Sequence, residues 1–392
     1  MLSVLLLTLA ASSPPWATRA ILPVDERDPG LAELLDDGEV VLVQDQAASS
    51  FKGLMVTRAP ETCAIVEDRM LDVRGYPKLW NKRIKKVEVI ERTETDIHYA
   101  LYLDVFLSPR LEARIKNPER GKVIYWSKDT PSLFTWNLEQ HETSCVLFYE
   151  MYHPEGVRSD FVVLVNKLEP GINDAGEVAA ALVSSRGYSS PEKPGKRDLG
   201  PRALATYDAL SGASTALRVV RRGKELPLYV VRRRVPVPVD VVRARIRDKA
   251  AFEERIDFLH DVEQKDAATT WELRAFGGEV TFTTTASERR GDAGSFVIEE
   301  TVTTGDIRRG RWTWVLTPIA GGTAVELHVD LDVTSGSRVL KTLASQDQLI
   351  RDSTSLQLVY EFMRIAAPEK ALPVSDGVLA GRPRSDTARG AN

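Results

Sequence analysis

Two cysteines, Cys63 and Cys145, are all that the 392 residues contain. Paired-Cys zinc spacing is therefore absent, and so is a dense disulfide framework. The five histidines (98, 141, 153, 260 and 328) form no His-x-x-x-His pair. No Gly-x-Ser-x-Gly elbow and no P-loop occurs, so the common nucleophile and phosphate-cradling motifs are excluded. A net charge of −4 lacks the basic excess that nucleic-acid binding needs. No run is apolar for the roughly 20 residues that span a bilayer. What remains is ordinary globular usage, 43% hydrophobic and 28% charged, in a chain long enough for two domains.

The N-terminus reads as an export signal. Leu2 to Ala11 is uncharged and apolar and is followed by Ser12-Ser13-Pro14-Pro15. That length fits a secretory h-region, and Thr18-Arg19-Ala20 offers small residues at both recognition positions of a cleavage site. Residues 1–20 are assigned to the signal, although no Lys or Arg precedes the apolar run. The expectation is a protein soluble outside the cytoplasm, periplasmic or extracellular.

The rest of the chain repeats. Pro60 and Pro238 each open an apolar, helix-like segment and are 178 positions apart (238 − 60). Phe134-Thr135-Trp136-Asn137-Leu138 and Trp312-Thr313-Trp314-Val315-Leu316 share one pattern at the same spacing (314 − 136). Thr143 and Thr323 are 180 apart (323 − 143), which implies two inserted residues. On that alignment Cys63 faces Val241 and Cys145 faces Val325, so both thiols are expected as small, free, buried hydrophobes.

Each copy shows the same order. A short helix (Leu31 to Asp37, stopped by Gly38; 201–210) precedes extended chain (39–57; 214–235). A helix follows Pro60 or Pro238, and a second short helix spans Asp72 to Asn81. Strands come next, near 97–105, 110–117, 121–128, 132–140 and 143–152, then near 270–275, 279–287, 295–303, 308–317 and 323–334. In the last of these Val325, Leu327, Val329, Leu331 and Val333 alternate with Glu326, His328, Asp330 and Asp332, as in a sheet covered on one face. Long helical sequences close the copies at 159–186 and 338–366. Domain 1 is placed at 31–187, a Pro- and charge-rich linker at 188–200, domain 2 at 201–367 and a flexible tail at 368–392.

Several segments carry a resemblance. Ala59-Pro60-Glu61-Thr62-Cys63-Ala64-Ile65-Val66, Tyr76-Pro77-Lys78-Leu79-Trp80 with Lys86-Val87-Glu88-Val89-Ile90-Glu91, Trp136-Asn137-Leu138 with Thr143-Ser144-Cys145-Val146, and His153-Pro154-Glu155-Gly156 are similar to motifs of the START-like, or SRPBCC, superfamily. In the second copy Trp314-Val315-Leu316-Thr317-Pro318 and Gly322-Thr323-Ala324-Val325 keep the final part, and the front half is more diverged. The resemblance implies an α+β fold of two helix-grip domains, each a curved antiparallel sheet wrapped around a long C-terminal helix. Members bind lipids, sterols, polyketides or quinones, and some are cyclases or hydrolases.

Candidate site residues follow from strand parity. Phe134, Trp136 and Leu138 share one face, as do Trp312, Trp314 and Leu316, with Tyr149 and Met151 on the neighbouring strand. They line a cavity or fill a core, two arrangements that look alike in sequence. The histidines read as surface groups, and Glu326, Asp330 and Asp332 as a solvated face rather than a cation site. The basic clusters 82–86 and 232–234, the latter near Arg218, Arg221 and Arg222, read as solvated edges. Their alternative is peripheral contact with anionic lipid headgroups. The leading expectation is a carrier of a hydrophobic small molecule, a lipid above all, with no catalytic residue, metal or cofactor and no nucleic acid. A cyclase or hydrolase, or a non-binding interaction module, are the alternatives.

Overall fold

A computed structural model describes residues 22–25, 27–47, 50–79, 84–103, 110–127, 133–153, 198–221, 227–256, 259–275, 278–332 and 348–366. The expected signal, the first closing helix (159–186) and the tail lie outside the described residues. So does the linker up to residue 197.

Domain 1 runs α1 (Pro29–Asp37), β1 (Gly38–Ala47), β2 (Ser50–Ala59), α2 (Cys63–Leu71), α3 (Tyr76–Leu79), β3 (Ile84–Arg92), β4 (Asp96–Leu103), β5 (Arg110–Glu119), β6 (Lys122–Ser127), β7 (Leu133–His141) and β8 (Ser144–His153). Domain 2 runs α4 (Pro201–Ala213), β9 (Thr215–Val220), β10 (Leu228–Val235), α5 (Val239–Arg247), α6 (Ala250–Arg255), β11 (Leu259–Lys265), β12 (Ala268–Ala275), β13 (Gly278–Arg290), β14 (Phe296–Gly305), β15 (Gly310–Ile319), β16 (Gly322–Leu331) and α7 (Gln348–Ala366). The class is α+β. Strand β11 is an addition to the expected set. The helix expected from Pro60 starts at Cys63, Pro60 itself lying in the preceding bend.

The sixteen strands described form one antiparallel sheet, ordered 11-12-13-14-15-16-10-9-1-2-8-7-6-5-4-3. Read outward from the centre, domain 1 is 1-2-8-7-6-5-4-3 and domain 2 is 9-10-16-15-14-13-12-11, the same topology twice. The copies join where β1 pairs with β9. One inner row crosses the seam through direct cross-strand pairs: Trp136, Tyr149, Met55, Val41, then Leu217, Val231, Leu327, Trp314. Val41 pairs with Leu217, its own counterpart (217 − 41 = 176, as 231 − 55 = 176), so the seam is self-complementary about that pair. All six residues of β9 are buried, as a strand covered on both faces requires, whereas β3 at one end of the sheet is mostly exposed.

The outer face of the seam is covered, which corrects the expectation of one wet face. Helices α1 and α4 pack there over Leu42, Leu54, Val56, Phe148 and Val230. Asp28 caps α1 by accepting from Gly30 N at 2.7 Å and Leu31 N at 3.1 Å, and it also accepts from Thr206 Oγ1 of α4 at 2.8 Å. The Thr206 bond, with the backbone bonds, holds its carboxyl below the usual range against the opposing effect of burial. Gly30 lets the helices touch, because a Cβ there would meet Thr206 Oγ1 at 2.0 Å.

Three arginines expected at solvated edges are drawn into this layer. Arg218, 1% exposed, pairs with Asp37 across the seam at 3.4 Å. Arg221 grips Glu39 through Nε at 3.0 Å and Nη2 at 2.6 Å. Arg232 bonds Glu326 at 3.2 Å and also pairs with Asp208 of α4. The exposed lysines Lys85 and Lys86 do lie on the edge strand β3. Nor is His328 a surface group: its Nε2 meets Glu326 Oε1 at 2.5 Å with the side chain 11% exposed. His98 likewise meets Glu112 at 2.6 Å.

Glu326 yields a pH prediction. Burial alone would raise its carboxyl, but the His328 hydrogen bond and the charges of His328, Arg232 and Arg218 outweigh burial and hold it below its ordinary 4.5. A carboxylate depressed in the folded state contributes stability that is complete above the unfolded value and is lost as pH falls through the folded one. Urea denaturation from about pH 6 to pH 3 should show stability falling more steeply for the native chain than for Glu326→Gln. Parallel slopes would show that Glu326 ionises alike in both states.

The cysteines are a disulfide, not free thiols: Cys63 at the start of α2 is bonded to Cys145 at the start of β8, with Cα atoms 4.7 Å apart. The free-thiol expectation failed on its alignment. Both terminal hairpins have two-residue turns, Glu142-Thr143 and Ala320-Gly321, since His141 pairs with Ser144 and Ile319 with Gly322. No residues are inserted, and Cys145 corresponds to Thr323, not Val325. There the Thr323 hydroxyl donates to Val237 O at 2.6 Å, just before α5. Both copies therefore tie the same strand end to the same helix, one covalently and one by a hydrogen bond.

Candidate functional site

The inner face of each half-sheet is an aromatic cup. In domain 1, Phe134 pairs with Met151, Trp136 with Tyr149 and Leu138 with Leu147, so the five candidates from this copy share one surface. The Tyr149 ring lies between two others, with its centroid 3.9 Å from Trp136 and 5.6 Å from Phe134, both stacked. Tyr125 of β6 meets Phe134 edge-on at 5.4 Å. Phe134 and Met151 keep 9% and 6% exposure, and Leu138 is half-buried.

In domain 2 the described residues include the helix that the sheet grips. Phe362 of α7 sits at the hub, 5.7 Å from Trp312, 6.4 Å from Trp314 and 5.2 Å from Phe252 of α6. Trp271 of β12 adds an edge contact to Trp312 at 5.7 Å. Trp312, Trp314 and Leu316 are at most 1% exposed.

A polar chain runs through this cup. Lys249 Nζ bonds Glu300 Oε1 at 2.5 Å and Ile246 O at 3.0 Å, and it lies over the Phe252 and Trp271 rings. Glu300 Oε2 accepts from Thr284 Oγ1 at 3.3 Å, and Thr284 Oγ1 accepts from Trp271 Nε1 at 2.8 Å. The lysine and glutamate side chains are 4% and 1% exposed. Two further donors are buried without a partner, Trp312 Nε1 and Trp314 Nε1. Glu300 is the direct cross-strand neighbour of Trp312.

Sequence reasoning missed Lys249, Glu300, Thr284, Trp271 and Phe252. One signal was legible. Glu300 falls on the apolar parity of β14, between Ile298 and Val302, where a carboxylate has to be buried. Lys249 carried no such mark, because it lies between two short helices.

A groove of about 960 Å³ lies elsewhere, lined by Leu22, Asp25, Ala32, Arg58, His141 and Val146 among others. It is on the outer side, between α1 and the β7–β8 hairpin, and none of the eight candidate residues lines it.

Tyr360 of α7 also has a hydroxyl without a partner, and burial pushes its phenol well above its ordinary 10.0. It is two residues from Phe362, so it faces away from the tryptophans. Tyr360→Phe removes an unsatisfied buried group and should stabilise the chain by about 1–2 kcal/mol in urea denaturation. A loss of similar size would mean that a bound water satisfies the hydroxyl.

A sheet curled over a gripped helix, with an aromatic cup between them, defines the helix-grip class. Residues 235–370 match the family "Polyketide cyclase / dehydrase and lipid transport". That span is the copy whose front half looked more diverged. Domain 1 repeats the strand order of that matched copy, so the chain carries one topology twice. No curated protein matches the chain significantly. Among solved structures, TTHA0849 of Thermus thermophilus is 21% identical over 36% of this chain and 97% of its own, at a TM-score of 0.27. The di-domain ARO/CYC BexL of the BE-7585A biosynthetic pathway is 14% identical over 81% of this chain and 99% of its own (TM-score 0.26). A STAR-related lipid transfer protein fragment of Xanthomonas axonopodis is 14% identical over 37% and 92% (TM-score 0.27).

Proposed function

We propose that the chain binds a hydrophobic small molecule between α7 and the inner face of β12–β16, without turning it over. One observation carries this reading: an apolar cup holds a buried ion pair and two indole N–H groups without partners. A core selected for packing alone gains nothing from such groups, since each unmet donor costs about 1–3 kcal/mol. A binding cup uses a few polar groups to orient its ligand within apolar walls. The family description, which includes lipid transport, supports the same reading. The aromatic wall of domain 1, with Phe134, Trp136 and Tyr149, is its counterpart. The test is organic extraction of the purified protein followed by mass spectrometry. A stoichiometric apolar compound is expected; an empty extract, with no thermal shift against a lipid panel, would sink the proposal.

One observation favours a catalytic second reading: Glu300 is a carboxylate within the cup, beside Lys249. Conversion of a bound compound to a new product, lost in Glu300→Gln, would establish it.

The same proposal places the protein outside the cytoplasm. The Leu2–Ala11 run supports this, as does the Cys63–Cys145 disulfide, a bond that persists in oxidising compartments. Fractionation of a C-terminally tagged chain tests it, and a purely cytoplasmic signal would overturn it.

A further inference from the structure

We infer that copies of this chain associate end to end, the basic corner of domain 1 in one copy meeting the acidic corner of domain 2 in another. The partner is a second copy because this same chain carries the complementary charge, at the matching place in the fold.

The two corners are equivalent by position. Helices α2 (Cys63–Leu71) and α5 (Val239–Arg247) are offset by 176 residues (239 − 63). Tyr76 and Phe252 keep that offset (252 − 76), and each meets an inner aromatic ring edge-on at 5.8 Å. The edge strands follow at an offset of 175 (259 − 84), with Ile84 and Leu259 both buried. Between these landmarks the charges are opposite. Residues 72–87 hold six cations, at positions 74, 78, 82, 83, 85 and 86, against one acid, Asp72. Residues 248–262 hold five acids, at positions 248, 253, 254, 257 and 261, against Arg255 and Lys249. Lys249 is turned inside onto Glu300. Lys78 thus corresponds to Glu254 and Lys86 to Asp261.

Arg74, Lys78, Lys85 and Lys86 are exposed, as are Asp248, Glu253, Glu254 and Asp261. Of these cations only Lys86 has a carboxylate partner among the described residues, Glu88 at 3.8 Å. No ion pair among the described residues joins one corner to the other. Strands β3 and β11 are the two outermost of the sixteen, and each step between neighbouring strands is about 4.8 Å. At physiological salt, charges are screened beyond about 8 Å, so neither corner neutralises the other within one chain. A second copy removes that separation. Strand addition is not the mode of contact. Strand β3 is bulged at Ile84/Lys86 and at Val89/Glu91, and β11 at Leu259/Asp261, which breaks the even ladder a further strand would need. The contact is one of charged side chains and depends on ionic strength. Its two surfaces differ, so it is heterologous: two copies side by side close it, and further copies extend it.

The test uses the full chain. Sedimentation velocity at about 20 mM salt should show association that rises with concentration and weakens at least tenfold at about 500 mM. The variant K78E/K85E/K86E makes both corners acidic, and E253K/E254K/D261K makes both basic. Each should sediment as a monomer on its own at low salt, and an equal mixture of the two should associate again. All six positions are exposed, so both variants should keep the native urea midpoint. The salt dependence of the native chain needs no variant at all. A native chain that stays monomeric at low salt overturns the inference. So does association that survives both reversals, or a mixture that stays monomeric. Retention of a monomeric native chain on phosphatidylserine vesicles, lost in K78E/K85E/K86E, also overturns it and assigns the basic corner to a lipid surface.

Discussion

Lys249→Met should lower the stability of the chain by about 3–5 kcal/mol, among the largest effects of any single substitution in it. The ammonium is 4% exposed and its partner carboxylate 1% exposed, so the variant leaves Glu300 charged in an aromatic cup with only Thr284 to bond it. The attraction between the charges matters less here than the cost of stranding one of them. The double variant K249M/E300L separates the two effects. It removes both charges and keeps apolar bulk, so it should recover most of the loss, to within about 1–2 kcal/mol of the native chain. Urea denaturation of the two singles and the double closes the cycle. If the double is as unstable as Lys249→Met, the pair contributes through the aromatic contacts of Lys249 with Phe252 and Trp271 rather than through charge. If the double is stable and has lost its ligand, the pair is kept for binding at the expense of stability.

Much of the fold was legible because the repeat is written at two scales. The aromatic-Thr-Trp-x-Leu pattern gave the duplication, and strand parity put Phe134, Trp136, Tyr149 and Met151 on one surface, and Trp312, Trp314 and Leu316 on another. What was not legible shares one physical origin, the seam. A strand paired on both edges and covered on both faces can bury an arginine, and β9 does so with Arg218. In sequence that arginine, like Arg221 and Arg232, reads as a solvated edge, because the carboxylates that neutralise it come from the other copy or a different helix. His328 and Glu326 look wet for the same reason: parity reports which face of a strand a residue is on, not whether a helix covers that face. The polar chain of domain 2 was hidden differently. Lys249, Thr284 and Glu300 come from separate elements, so their meeting is a property of topology alone.

The seam also bears on how the domains act. Val41, Val43, Leu217 and Val219 belong to the same apolar cluster as both cups, so the inner core is continuous from one copy to the other. Neither copy presents a finished outer surface at β1 or β9. The two copies share one sheet and one inner apolar cluster, unlike two beads on a linker. A ligand that stabilises one cup therefore stabilises the sheet the other is built on.

Removing the disulfide is the second large perturbation. Cys63 and Cys145 are 82 positions apart, and loop-closure entropy puts the worth of such a cross-link at roughly 4–5 kcal/mol. The bond joins the start of α2 to β8, beside the hairpin that carries Trp136 and Tyr149. The double variant Cys63→Ala/Cys145→Ala should lose about 3–5 kcal/mol, seen in chemical denaturation as a lower midpoint. Domain 2 supplies the internal control, since Thr323 donates to Val237 O at the matching junction. Thr323→Val should cost only about 1 kcal/mol, the net worth of a hydrogen bond. That contrast separates two accounts of the junction. If the cross-link acts through the unfolded chain, the two junctions differ several-fold in energy although they tie the same elements. If the cysteine pair costs no more than Thr323→Val, the tie in the folded state is what both copies need, and the covalent bond adds little beyond it. Val239→Cys with Thr323→Cys extends the test: a second disulfide that forms and raises the midpoint would show that the copies share the junction's geometry as well as its topology.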